Sequence, residues 1–100
     1  MRLTELEPAW IHKNVFVFLC PHCRKMILSC KNIVMSFSEQ WELFKERFGD
    51  KQNRFTVHCE EACAWSFTSG ASFETLTVTP SLDASRAGHW HGFITDGEIR

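Results

Sequence analysis

The sequence predicts an α+β domain: a small antiparallel β fold with a zinc-ribbon-like knuckle and one packed helix. Three observations lead there. Phe37 to Phe48 carries a helical stripe of aromatics behind a capping signal. Short β-branched and aromatic runs recur on either side of it. Cys20-Pro21-His22-Cys23 directly follows one of those runs and is followed by another.

One hundred residues suffice for a single core, and 44% apolar with 13% aromatic content suits a packed globule rather than a disordered chain. The expected organisation is an N-terminal arm over 1–9, which Pro8 keeps from continuing as a helix, and a single zinc-binding domain over 10–100. Trp10 to Leu19 reads as a strand, because Val15-Phe16-Val17-Phe18-Leu19 is apolar on both faces and too short for a helix. Lys25 to Cys30 reads as its return strand after the cysteine turn. In the helix, Ser36 and Glu39 form the capping box and Gly49 the stop, while Phe37, Trp41, Phe44 and Phe48 share the face expected to pack on a sheet. Arg54 to His58, Ala64 to Ser69, Glu74 to Thr79 and His89 to Ile94 follow as short strands. Asp96-Gly97 is a strong two-residue hairpin turn into Glu98-Ile99-Arg100.

The net charge of −1 argues against a polyanionic partner, although residues 1–54 hold nine Lys/Arg against six Asp/Glu and residues 55–100 hold two against six. Arg24, Lys25, Lys31, Arg47, Lys51 and Arg54 are the only basis for nucleic-acid binding, which ranks last. No run approaches the ~20 apolar residues of a membrane span. The first apolar run is five residues long behind acidic Glu5 and Glu7, unlike a secretory leader, so a cytoplasmic location is expected. Thiols stay reduced there, and five cysteines then favour a metal over a disulfide framework.

Structural zinc takes four ligands, usually as two pairs from separate parts of the chain. Cys20 and Cys23 make the first pair, and Cys59 with Cys63 the second. His58 is an alternative to one of the latter, and Cys63 also suits a core position beside Trp65. The competing reading makes all of them small buried hydrophobes. Cys30 is expected in the core and His22 in solvent.

The other concentrated signal is His89-Trp90-His91. On a strand, residues two apart share a face, so His89 and His91 would present parallel imidazoles to one ion while Trp90 enters the core. Gly88 and Gly92 leave room there for a ligand or a close backbone. A catalytic zinc needs three protein ligands, an open position and a base. Asp83, Asp96, Glu60 and Glu61 are the available acids, and Ser81 offers a hydroxyl in a Pro80-Ser81 turn. Ser81 activated by His91, with Asp83 or Asp96 as orienter, is a nucleophilic alternative. Two further readings stay open: hydrogen-bonded structural histidines, or histidines that belong to the cysteine site.

Phe18-Leu19-Cys20-Pro21-His22-Cys23, Ala64-Trp65, Leu76 to Leu82 and Gly88 to Ile99 together resemble a family of small bacterial and phage proteins, catalogued mainly as a domain of unknown function. The resemblance covers most of residues 10–100. Some members of that family are encoded beside bacterial homologues of ubiquitin-activating and ubiquitin-conjugating enzymes. The resemblance therefore implies a metal-dependent peptidase acting on ubiquitin-like tails or conjugates, with Pro80-Ser81 and His91 at its recurring positions. Where many members carry a cysteine near Gly88 or Trp90, this chain has His89 as the replacement ligand. The expected function is a zinc-binding domain: a metal-dependent hydrolase using Ser81, Asp83, His89 and His91, or a non-catalytic zinc-ribbon-like adaptor for a protein partner.

Overall fold

The computed structural model describes residues 1–56, 64–85 and 88–100. Ala9–His12 (β1), Val15–Leu19 (β2) and Ile27–Lys31 (β3) form an antiparallel meander in that order. Helix α1 (Phe37–Phe48) follows, and the two-residue strand β4 (Phe55–Thr56) adds in parallel to the edge of β3. Val78–Asp83 (β5), His91–Thr95 (β6) and Glu98–Ile99 (β7) make a second, antiparallel sheet. The α+β class read from the sequence is the class of the fold.

Alternation along β2 and β3 builds the layers. Phe16, Phe18 and Cys20, with Leu28 and Cys30, enter one core shared with Val78, Leu82 and Ile94 of the second sheet and with Trp90 of its β5–β6 connection. Val17 and Ile27 face the other way, into a second core with Phe44 and Phe55 and the flanking Trp41 and Phe48. The first sheet is thus packed by α1 on one face and by the second sheet on the other. That explains a strand apolar at every position: four of the five β2 residues are buried. Fully burying one such side chain contributes roughly 1.5–3 kcal/mol.

The helix starts where the cap predicts. The Ser36 hydroxyl accepts the Glu39 N–H at 3.1 Å, satisfying one of the free donors of the first turn. Phe44 stacks on Phe55 with centroids 4.3 Å apart, while Phe37 at the helix start is 44% exposed and does not join the stripe. Gln40 is buried and takes the Ser29 hydroxyl at 3.1 Å, so the one polar residue facing the sheet is satisfied. The α-helix ends at Phe48 with Gly49 as its C-cap, as expected, but without the left-handed angles of a glycine stop. Gly49 keeps right-handed angles (φ −54°), and the chain continues as a 3-10 turn, Gly49–Arg54.

Other elements are displaced from their sequence positions. Trp10 to Leu19 divides into β1 and β2, with a turn at Lys13-Asn14. Ala64 to Ser69 contributes only the bridge of Ser66 to Thr79. The strand expected over Glu74 to Thr79 runs instead over Val78–Asp83 and contains Pro80 and Ser81, so these residues are not a turn. The β5–β6 register shifts between Val78 and Leu82, and such an irregularity accommodates a proline that has no N–H to give. Of the strand expected over Arg54 to His58, Phe55–Thr56 forms β4, and Val57 and His58 lie outside the described residues.

Residues 1–9 are stitched to the C-terminal hairpin. Leu3 and Leu6 of a 3-10 turn are fully buried, and the Leu3 N–H donates to the Gly97 carbonyl at 2.8 Å. Arg2 pairs with the Glu98 carboxylate at 2.7 Å and donates to the Glu74 carbonyl. Hydrogen bonding from Arg2, with its charge, holds the Glu98 carboxyl below its usual range. The β6–β7 turn is the predicted one, with Asp96 (φ 49°) and Gly97 (φ 74°) both left-handed, as a type I′ turn requires. A Cβ on Gly97 would also meet the Glu74 carbonyl oxygen at 2.2 Å.

Gly97→Ala should therefore destabilise the fold by more than about 1 kcal/mol, read as a lower urea midpoint at unchanged slope.

Candidate metal centre

The knuckle is a continuation of the β2–β3 ladder. Beyond the Leu19↔Ile27 pair, the Cys20 N–H donates to the Met26 carbonyl at 2.8 Å, and the Arg24 N–H donates to the Cys20 carbonyl at 2.8 Å. Arg24 takes left-handed angles (φ 54°) to let the chain return. Cys20 ends up buried, on the same face as Phe16 and Phe18, while Cys23 and His22 are exposed.

His89 reaches this turn from the second sheet. It lies in the β5–β6 connection, before β6 begins at His91, and its N–H donates to the Ala84 carbonyl at 3.0 Å. The Ala84 N–H in turn donates to the Trp90 carbonyl at 2.9 Å. Trp90 is 4% exposed and meets the edge of Phe18, with centroids 6.0 Å apart and planes at 86°. Phe18 stands two residues before Cys20, and Trp90 directly follows His89. One aromatic contact thus aligns the two segments that carry the ligands.

Cys20, Cys23 and His89 lie close enough to bind a metal ion. Their ligand atoms all fall within 4.8 Å of one another, and Cys23 Sγ is 3.7 Å from His89 Nδ1. A tetrahedral ion with bonds of about 2.3 Å to sulfur and about 2.0 Å to nitrogen sets those two atoms roughly 3.6 Å apart. The observed separation matches without rearrangement.

The Cys23 sulfur also accepts the Met26 N–H at 3.4 Å. The desolvation that neighbouring protein imposes on the Cys23 thiol pushes it up. The N–H groups of Met26 and Lys25, then hydrogen bonds from Cys20 and from the Cys23 backbone, outweigh it and hold the thiol below its ordinary value. A thiolate is the form a metal takes, so the turn is built for the ligating state.

The structure regroups the histidines. Of the two, His89 lies beside the cysteines, with its ring against Cys23. His89 precedes the strand and is half-buried, whereas His91 starts β6 on its exposed face. Among the described residues, no cluster of three metal-ligating groups includes His91. Asp83 is the cross-strand neighbour of His91, and its Oδ1 accepts the Ser85 N–H at 2.9 Å and the Ser85 hydroxyl at 2.5 Å. Ser81 sits within β5, where its carbonyl accepts the Trp65 indole N–H at 3.2 Å. The space at Gly92 is taken by protein: an added Cβ would meet the Arg100 carbonyl at 2.2 Å and the Trp90 ring at 2.7 Å. Cys30 is fully buried in the core, as expected. Cys59, Cys63, His58, Glu60 and Glu61 lie outside the described residues.

No family model, no curated protein and no solved structure matches this chain.

In metal-free, reduced protein, Cys23 should alkylate with iodoacetamide well before Cys20 and Cys30, because it alone of the three is exposed. Its rate should rise through a midpoint below that of an unperturbed cysteine. Mass spectrometry of quenched time points reads both, and equal labelling of the three thiols would contradict the geometry.

Proposed function

We propose that this chain is a zinc-binding, zinc-ribbon-like adaptor, in which an ion held by Cys20, Cys23 and His89 locks the knuckle to the C-terminal sheet and so fixes a surface for a protein partner. The convergence of three ligands from two separate layers carries this reading. Two thiolates and an imidazole form a donor set that suits zinc. The proposed fourth ligand is Cys59 or Cys63, with His58 the alternative. The arrangement favours scaffold over chemistry, because the Asp83 carboxylate is engaged by Ser85 and His89 is committed to the thiols.

A second reading is a metal-dependent hydrolase or peptidase acting on ubiquitin-like tails or conjugates, the activity implied by the family resemblance. Its support is exposure: Cys23 is exposed and His89 half-exposed, so one side of the cluster borders solvent. A bound ion would supply Lewis acidity there, and Ser81 and His91 lie on the neighbouring strands β5 and β6 of the sheet that leads to His89.

Metal analysis of protein purified without added metal should find one zinc per chain. His91→Ala should retain it, while Cys23→Ser or His89→Ala should lower zinc affinity by at least tenfold. Chelation should lower the melting temperature, since binding only the folded state stabilises it. Wild-type protein that purifies folded and without metal would refute the zinc reading. Zinc-loaded protein should not cleave a fluorogenic peptide ending in a ubiquitin-like tail. Turnover that disappears in metal-retaining His91→Ala would instead establish the hydrolase.

A further inference from the structure

An apolar groove lies away from the metal centre, where α1 borders the β3–α1 connection. Met35 and Leu43 line it together with Ile33 and His12. Ile33 is 40% exposed, and the adjacent Val34 is 68% exposed, so this connection presents apolar side chains to water. The opposite wall is α1, and its contribution is acidic: Glu39, Glu42 and Glu46 all line the groove and all are exposed.

The spacing is informative. Positions i, i+3 and i+7 fall on one face of a helix, and seven residues at about 1.5 Å each set a rim roughly 10 Å long. Two turns of a partner helix would fit along it. Glu42 pairs with Lys45 at 3.3 Å, whereas Glu39 and Glu46 have no ion-pair partner among the described residues. An apolar trough edged by three carboxylates, two of them without an ion-pair partner among the described residues, complements an occupant with an apolar face and a basic border. A neutral or acidic helix would place its polar rim against like charge.

We propose that this groove docks a cationic amphipathic helix of a partner protein, with apolar side chains on Ile33, Met35 and Leu43 and Lys or Arg side chains on Glu39, Glu42 and Glu46. The proposal gives the adaptor reading its partner surface and rests on that reading for its role. It does not rest on the ion.

The test is fluorescence anisotropy with the full, zinc-reconstituted chain. The probe is a labelled 18-residue Leu/Lys amphipathic peptide, compared with the same peptide carrying Glu in place of every Lys. The Lys peptide should bind at least about tenfold tighter than the Glu peptide, with affinity falling as salt rises. Glu39→Gln/Glu42→Gln/Glu46→Gln should weaken it by about tenfold, as expected for three exposed pairs. Ile33→Asp should weaken it further, and Phe93→Ser, an exposed aromatic on the other sheet, should change nothing. Circular dichroism and metal content of each variant confirm folding. Equal binding of the two peptides, wild-type affinity in the groove variants, or an equal loss in Phe93→Ser would overturn the proposal. So would a dimer of the chain alone that Ile33→Asp converts to monomer, since a second copy would then be the occupant. Tight, Glu-dependent binding by protein that holds no metal would support the groove while removing the zinc reading.

Discussion

Strand β2 is the constraint on which the rest of the molecule depends. Its side chains alternate between two cores: Phe16 and Phe18 face the second sheet, and Val17 faces helix α1. A one-residue slip in its pairing with β3 would exchange these sets and misplace both layers at once. It would also turn Cys20 from the face that meets the second sheet. Register, layer packing and ligand placement are therefore a single specification, written in five consecutive residues and closed by the Phe18–Trp90 edge contact.

What could be read from the chain was local. Helix α1 has its predicted bounds, because its signals, the Ser36 cap and the aromatic stripe, act within a few residues of one another. The Asp96-Gly97 turn is equally local, its two left-handed angles belonging to residues that tolerate them. The all-apolar run at Val15–Leu19 correctly signalled burial on both faces. It did not reveal which layer would cover each. The displaced elements are those fixed by distant partners. Pro80 sits inside β5 because a register shift admits it, and Ala64 to Ser69 keeps only the one bridge that Thr79 offers.

The candidate site divides along the same line. Cys20 and Cys23 were legible because a short turn fixes both sulfurs. The sequence marks His89 as a candidate ligand, but with His91 as its strand-mate. Strand periodicity holds only where a ladder exists, and pairing starts at His91, one residue too late to align the two rings. The nearest signal in the sequence for the true neighbour was Trp90. A large core side chain beside His89 fixes that segment against β2, and so against the knuckle.

The separation of these ligands along the chain has a kinetic consequence. Cys20 and His89 are 69 positions apart, so the cluster closes a loop spanning most of the molecule, with the chain-entropy cost such a closure carries. A fragment containing the knuckle alone holds two sulfurs and no third donor from the second sheet. Coordination by all three would require the segment carrying His89 to have reached the knuckle. Cobalt absorption at the site would thus act as a clock for that late event, separating the assembly of each layer from their joining.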